Sequence, residues 1–209
     1  SRSDLEQLIK IAQEKNWIII SDEIHADLTY PEYQHTPLAR LAEEFENIIT
    51  ALAPSKTFNI PGLNLSALIV PNAKFRQAIL NFFDQLHINP ANPFSITAFE
   101  TAYQKGANWL DELISYLSCT RDQVADYLTK YLPAIQLVKP EGTYLLWLDC
   151  RSMRMTDSEL KRFFIHQAGV GLSPGILFGD EGSGFMRMNI GTPRSNVLAA
   201  LEKIKKAYV

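Results

Sequence analysis

The chain has 209 residues with 46% hydrophobic and 21% charged side chains, a composition typical of folded globular proteins rather than disordered or fibrous ones. Its net charge of -3 gives no basic surplus for binding nucleic acid or an anionic membrane surface, and no apolar run reaches the roughly 20 residues of a membrane span. The charged first residues lack a signal-peptide core, and Cys119 and Cys150 lack CxxC spacing. We therefore expect a cytoplasmic protein without a disulfide framework.

The first part of the chain alternates helix-like and strand-like segments. Ser3 and Glu6 have capping-box spacing, which predicts an opening helix. The run WIIIS at 17–21 has no polar alternation and predicts a strand covered on both faces. Two more strands and a helix are predicted from NIITAL at 47–52, SALIV at 66–70 and the apolar spacing over 72–86. This order is typical of an α/β sheet.

The motif NPANP at 89–93 is the candidate domain boundary, because its two prolines interrupt helical structure. Beyond it the pattern predicts a smaller α+β domain. Its elements are a helical stretch over 95–132 interrupted at Gly106, a strand at 143–148, a helix at 157–167, a strand at 185–190 and a terminal helix from Ser195. Three tryptophans lie in apolar runs and are predicted to be core residues: Trp17, Trp109 and Trp147.

The start of the chain does not look like the start of a sheet. A parallel strand needs a crossover connection before it, yet this chain opens on a helix that leads directly into a central-looking strand. We therefore expect the chain to be the later part of a longer protein.

Two residues stand where a ligand would bind in such a fold. Asp22 ends the first predicted strand and Lys56 follows the second, and open α/β sheets bind ligands at the carboxyl ends of their strands. A lysine there can form a Schiff base with a carbonyl cofactor, and an aspartate can keep a pyridine nitrogen protonated. From position alone, a helix cap and a solvated charge are the more common interpretations of such a pair.

Four phrases of the sequence surround these residues and extend to the far end of the chain: SDEIHADLTY at 21–30, PSKTFNIPGL at 54–63, PEGTYLLWLD at 140–149 and RMNIGTPR at 187–194. In this order they resemble the fold-type I pyridoxal-phosphate (PLP) enzymes of the class I and II aminotransferase family, above all its cystathionine β-lyase, or C–S lyase, branch. The resemblance implies the C-terminal part of a large PLP-binding domain with a mostly parallel sheet over 1–93. An interdomain helix and a small α+β domain would follow over 94–209.

The resemblance also implies roles for three residues of the first domain. Lys56 matches the lysine that links to PLP and moves the proton at the substrate α-carbon. Asp22 matches the carboxylate paired with the pyridine nitrogen, which helps the ring accept electrons. His25 stands where many aminotransferases have a tyrosine near the cofactor's phenolic oxygen, and a histidine there is typical of the β-lyase branch; a core-packing histidine is the alternative.

Further candidates carry alternatives of their own. Arg187 matches the arginine that binds the substrate α-carboxylate, with a surface salt bridge as the other interpretation. Tyr144 matches a strand start near the substrate, or simply a structural turn. Ser55 could contact the cofactor phosphate or cap the backbone. The family's usual phosphate-binding arginine, eight residues after the lysine, is replaced by Asn64, which could serve as a substitute donor. The usual Gly or Ser three residues before the lysine is Ala53.

The implied function is a PLP-dependent C–S β-lyase that acts on small sulfur amino acids and releases a thiol, pyruvate and ammonia. A PLP-dependent aminotransferase and a non-catalytic, partner-binding fragment are the alternatives. The resemblance also implies a homodimer. No nucleotide phosphate loop is present, and the histidines lack metal-ligand spacing with the cysteines, so we expect no metal site.

Overall fold

A computed structural model describes residues 1–42, 44–88 and 92–208. These residues divide into two compact units: unit one is Ser1–Thr29 with Tyr33–Asp111, and unit two is Tyr30–Glu32 with Glu112–Val209. The domain boundary predicted between residues 93 and 94 stays a prediction, and part of its NPANP motif, residues 89–91, lies outside the described residues. None of the described helices is both long enough and apolar enough to cross a bilayer.

Unit one contains a three-stranded sheet with short and long helices. Its strands are β1 (Ile19–Asp22), β2 (Ile48–Leu52) and β3 (Ala67–Ile69). Its helices are α1 (Arg2–Lys15), α2 (Leu38–Leu41), α3 (Pro54–Thr57), α4 (Ala73–Gln85), α5 (Pro93–Lys105) and the first turn of α6 (Ala107–Tyr131). The three strands and α4 confirm the sequence prediction, and the helical stretch is interrupted at Gly106 as expected.

The sheet of unit one has the order β1-β2-β3, with β1 parallel and β3 antiparallel to the central strand β2. Its core is on the side of α1 and α2, where Ile9, Leu38 and Ile48 pack together with Ile19 against them. This packing explains why the β-branched residues of β1 and β2 form neighbouring strands, because each strand directs alternate side chains toward the same helices.

The prediction that the first strand is covered on both faces is wrong for this chain. Ile20 is 72% exposed, because the core contacts of β1 lie on the opposite face, on the side of Ile19. The prediction of core tryptophans is also wrong: Trp17 is 56% and Trp109 is 45% exposed, and Trp147 is only half-buried.

The opening helix forms, but its cap is not the predicted pair. Ser1 is the N-cap: its hydroxyl accepts from the Asp4 backbone N–H, and the Asp4 carboxylate accepts from the Ser1 amino group. Since the helix begins before Ser3, Glu6 lies within it and instead accepts from Arg2 Nε at 2.8 Å.

Unit two is an antiparallel sheet with helices. Its strands, in the sheet order β4-β5-β7-β6, are β4 (Gln136–Val138), β5 (Leu145–Asp149), β7 (Phe185–Asn189) and β6 (Ser173–Pro174). Its helices are the remainder of α6, α7 (Asp157–Arg162), which ends in a π-helical turn (Phe163–Gln167), and α8 (Arg194–Tyr208). The predicted strands at 143–148 and 185–190 and the terminal helix are confirmed, whereas β4 and β6 were not predicted.

One face of the unit-two sheet is core. Leu146 and Leu148 of β5 and Met186 and Met188 of β7 are buried, and the alternate residues lie on the opposite face. The short segment 30–32 belongs to this unit by its contacts: the Tyr30 hydroxyl donates to the Thr143 carbonyl at 2.8 Å, and Arg121 donates to Glu32 at 2.9 Å.

Candidate active site

Asp22 and Lys56 lie at the same edge of the unit-one sheet, as the sequence predicted. Asp22 is the last residue of β1 and is opposite Ala51 of β2, and the Glu23 N–H extends this pairing with a 2.8 Å bond to the Ala51 carbonyl. Lys56 lies in α3, which begins two residues after β2 ends. Because β1 and β2 are parallel, their carboxyl ends bring the two charged residues to one edge.

His25 lies in the turn that follows β1. The turn is closed by the Ile24 N–H, which donates to Asp22 Oδ1 at 3.1 Å, and by the Leu28 N–H, which donates to the His25 carbonyl at 3.0 Å. Burial lowers the pKa of His25, the positive charge of Lys56 lowers it further, and the negative charge of Asp22 opposes the change. His25 therefore lies within electrostatic range of both Lys56 and Asp22.

Glu23 fixes the start of this turn and was not singled out from the sequence. Its nearly buried carboxylate accepts hydrogen bonds from the Ser21 hydroxyl at 3.0 Å, the Leu38 backbone N–H at 3.1 Å and His35 Nε2 at 3.0 Å. The sequence signal that could have identified Glu23 is its position as a second carboxylate directly after Asp22. With Glu23 held, the neighbouring Asp22 side chain is left on the exposed side.

The residue after Lys56 is tied to the His25 turn. Thr57 is fully buried, and its hydroxyl donates to Asp27 Oδ2 at 2.9 Å. The Tyr103 hydroxyl donates to the same oxygen at 3.4 Å, and burial together with the Asp27 charge raises the pKa of Tyr103 to about 12. Asp27 is two residues after His25, so this carboxylate joins the two segments that carry the candidate cofactor residues.

Phe58 anchors the same segment through apolar contacts. Its ring packs edge-on against Tyr103, with 5.5 Å between ring centroids, and lies 5.9 Å from Trp109. A Cβ atom on Gly106 would lie 2.4 Å from Phe58 Cε1, so the ring fits only because residue 106 is glycine. The junction of α5 and α6 thus supports the turn that carries Lys56.

Ser55 and Asn64, the candidate phosphate contacts, are placed differently. Ser55 is half-buried in α3, and its carbonyl accepts from the Ile60 N–H at 3.1 Å. Asn64 is exposed, with a left-handed φ of 47°, directly after the 3₁₀ turn Pro61–Leu63. Among residues 1–42, 44–88 and 92–208, no hydrogen bond joins the Asn64 side chain to Lys56 or Ser55, so its predicted role stays a prediction.

The candidate substrate residues lie in unit two. Arg187 is half-buried on β7, opposite Trp147 of β5 and Ser173 of β6, and its guanidinium lies 4.5 Å over the Phe178 ring. Tyr144 precedes β5, and its backbone carbonyl accepts a hydrogen bond from the Ile190 N–H at 2.8 Å. Burial raises the pKa of the Tyr144 hydroxyl. Sequence reasoning did not single out Phe178, although it stands in the glycine-rich stretch before β7.

Comparison with known proteins identifies the family. A family model described as aminotransferase class I and II matches residues 1–204. The chain belongs to this family. Over 208 residues it is 39% identical to cystathionine beta-lyase PatB of Bacillus subtilis, a match that covers 99% of this chain and 54% of PatB. Over 195 residues it is 35% identical to protein MalY of Escherichia coli, covering 93% of this chain and 50% of MalY.

A solved structure of 34% identity has the same fold. The crystal structure of cystalysin from Treponema denticola, which contains a pyridoxal 5'-phosphate cofactor, is similar with a TM-score of 0.96 and 34% identity, over 99% of this chain and 53% of cystalysin. The chain spans about half the length of the curated relatives it matches. The family resemblance and the α/β fold class predicted from the sequence are confirmed, and the roles of individual residues stay predictions.

Proposed function

We propose that the protein is a PLP-dependent C–S β-lyase that acts on amino acids with a sulfur leaving group on the β-carbon. The observation that carries this proposal is the grouping of Lys56, His25 and Asp22 at one edge of the unit-one sheet. Similarity to a cystathionine beta-lyase supports the lyase reaction.

The chemistry of these side chains suits PLP. Lys56 offers a primary amine for the cofactor aldehyde, Asp22 offers an exposed carboxylate for the pyridine nitrogen, and His25 lies in the turn between them in sequence. We assign Ser55 and Asn64 to the phosphate, because a hydroxyl and an amide are both hydrogen-bond donors. When bound, PLP supplies an electron sink for the bond broken at the substrate α-carbon.

Each of these residues has a separate role in the proposed reaction. Lys56 Nζ removes the proton from the substrate α-carbon, since it is the amine held at the site. The Asp22 carboxylate would keep the pyridine nitrogen positively charged. This positive charge stabilises the negative charge that develops in the transition state. His25, with its lowered pKa, is uncharged at neutral pH and can exchange a proton with a neighbouring oxygen.

Arg187 orients the substrate in this proposal. Its planar guanidinium can donate two parallel hydrogen bonds to the α-carboxylate, a geometry that lysine does not provide. We assign Tyr144 to the same substrate, because its hydroxyl-bearing ring lies at the start of β5 in the same unit.

The overall reaction is a β-elimination followed by hydrolysis. The α-proton and the β-thiolate leave the substrate, the thiolate takes up a proton, and one water hydrolyses the remaining imine. The products are a thiol, pyruvate and ammonia. A substrate of the cystathionine type balances in this scheme with one water consumed.

An aminotransferase is the second candidate, favoured by the description of the family model. In that reaction Lys56 would carry the α-carbon proton without the loss of a β-substituent, so no thiol would leave. We also propose a cytoplasmic homodimer, with residues 1–93 as part of the large domain and 94–209 as interdomain helix and small domain. Sedimentation velocity of the purified protein tests the dimer, and a monomer at micromolar concentration would contradict it.

The experiment that tests the function uses the protein expressed from its complete reading frame. The protein is incubated with PLP, reduced with borohydride and mapped by peptide mass spectrometry, while thiol and pyruvate are measured with L-cystathionine. We expect a pyridoxyl group on Lys56, its loss in Lys56→Ala, and equal release of thiol and pyruvate. Keto acid formation without thiol would favour the aminotransferase, and labelling scattered over other lysines would favour a non-catalytic, partner-binding protein.

A further inference from the structure

Four arginines of unit two lie over aromatic rings. They are Arg121 over Tyr30 at 4.3 Å, Arg151 over Phe185 at 4.8 Å, Arg187 over Phe178 at 4.5 Å and Arg194 over Tyr116 at 4.6 Å. A ring occupies the face of a guanidinium but none of its five N–H groups, which point outward in the plane. Each stacked arginine therefore still needs acceptors at its edge.

Three of these arginines find acceptors in the protein: Arg121 donates to Glu32 and Asp122, Arg151 to Asp149, and Arg194 to Thr120 Oγ1 and the Tyr116 carbonyl. Arg187 differs. Among the described residues of unit two, no oxygen accepts a hydrogen bond from its guanidinium and no carboxylate pairs with it. The stack thus orients a half-buried cation whose N–H groups are available to an external anion.

The ring over Arg187 is itself held by neighbouring rings. Phe178 packs edge-on against Trp147, with 5.7 Å between centroids, and Trp147 is the cross-strand partner of Arg187. Trp147 in turn stacks on Phe185 at 5.6 Å, with 16° between the ring planes. Arg187 is thus flanked by two aromatic residues from two different segments.

The segment that carries Phe178 is fixed by close backbone contact. Phe178 ends the 3₁₀ turn Gly175–Phe178, in which a Cβ atom on Gly175 would lie 2.3 Å from the Gly182 carbonyl oxygen and 2.8 Å from that of Phe185. Only glycine permits this approach, so the turn has one position relative to β7. The backbone position of Phe178 follows from it.

We propose that Phe178, supported by Trp147, is a positioning residue for Arg187: the ring holds the guanidinium plane so that its free edge binds a carboxylate with two hydrogen bonds. This inference rests on the proposed function, in which that carboxylate belongs to the amino-acid substrate. Phe178 is 54% exposed, so its ring can also border the space that the substrate occupies. It acts on substrate binding through Arg187 and takes no part in bond breaking.

The test removes the ring and retains the apolar bulk. Phe178→Met and Phe178→Leu are compared with Phe178→Tyr, which restores an aromatic face, and with Phe82→Leu, a matched change at an exposed phenylalanine of α4. Two variants without the ring are used so that one remains informative if the other misfolds. We expect both to raise KM for L-cystathionine about 3- to 10-fold with kcat changed less than about 2-fold, the range that a cation–π contact implies. Phe178→Tyr and Phe82→Leu should match the wild type.

A chemical readout separates this proposal from the proposed function. The rate at which phenylglyoxal modifies Arg187 is measured by peptide mapping, relative to the exposed Arg154. Loss of the ring should raise this relative rate about 2-fold or more, whether or not the protein is a lyase. Unchanged Arg187 reactivity and unchanged KM in both variants would overturn the proposal. If the wild type shows neither thiol release nor Lys56 labelling, the proposed function is refuted. The phenylglyoxal rates alone then decide whether Phe178 positions Arg187.

Discussion

Substitution of Gly106 by alanine should disturb the segment that carries Lys56. The new Cβ would lie 2.4 Å from the Ala102 carbonyl oxygen and 2.4 Å from Phe58 Cε1, well inside van der Waals contact. Overpacking of this kind costs about 1 to 3 kcal/mol, and the backbone oxygen cannot move away without disturbing the last turn of α5. Alanine is the better helix former by up to about 1 kcal/mol, so we expect a net loss of about 1 to 2 kcal/mol.

The measurement is thermal unfolding followed by circular dichroism, with tryptophan fluorescence as a second probe because Trp109 lies beside Phe58. For a chain of this size, the loss corresponds to a Tm lower by about 2 to 8 °C. Gly62→Ala is the matched control, since a Cβ there has no atom within 4 Å and its φ is not left-handed. An unchanged Tm in Gly106→Ala, or an equal loss in Gly62→Ala, would refute this reasoning.

Three other outcomes follow from the same structure. Thr57→Val removes the buried bond to Asp27 and should lower stability by about 1 kcal/mol in urea unfolding, with recovery in Thr57→Ser; no change would mean that the bond is not formed. Folding lowers the pKa of His25, so the unfolded chain binds the proton more readily than the folded chain. The contribution of His25 to the free energy of unfolding is therefore present above about pH 6.5 and is lost as the pH falls through the folded pKa. His25→Asn should therefore lose less Tm than the wild type between pH 7.5 and 5.5, and an identical loss would contradict this. Burial raises the pKa of Cys150 to about 12 whereas Cys119 is exposed, so a disulfide reagent should titrate one thiol in the native chain at pH 8 and two in urea; two reactive native thiols would be the contrary result.

Much of the fold could be predicted because the signals are local. Runs of β-branched residues identified β1, β2 and β3, and the parallel pairing of β1 with β2 explains why Asp22 and Lys56, 34 positions apart in the sequence, lie at one edge. Gly106 was read correctly as a helix interruption. Its close fit to Phe58 could not be predicted, because that fit depends on where a distant ring lies.

The wrong and missing predictions concern features that the local sequence pattern does not determine. A hydrophobic run indicates that a strand can be buried, but the faces that are covered depend on what packs there, as the exposure of Ile20 and Trp17 shows. The short strand β6 has only two residues and therefore no periodicity to detect. Phe178 was missed because its importance comes from standing over Arg187, a relation between two segments that no spacing along the chain reveals.

The assignment of Tyr30–Glu32 to unit two has a consequence for how the chain can be divided. The polypeptide leaves unit one after Thr29, returns at Tyr33 and leaves again after Asp111, so it passes between the units at three peptide bonds. A truncation that ends at residue 111 would keep Tyr30 and Glu32 but remove Thr143 and Arg121, which hold them. Neither unit is therefore a continuous stretch of the gene, and no single cut in the backbone can release one of them intact.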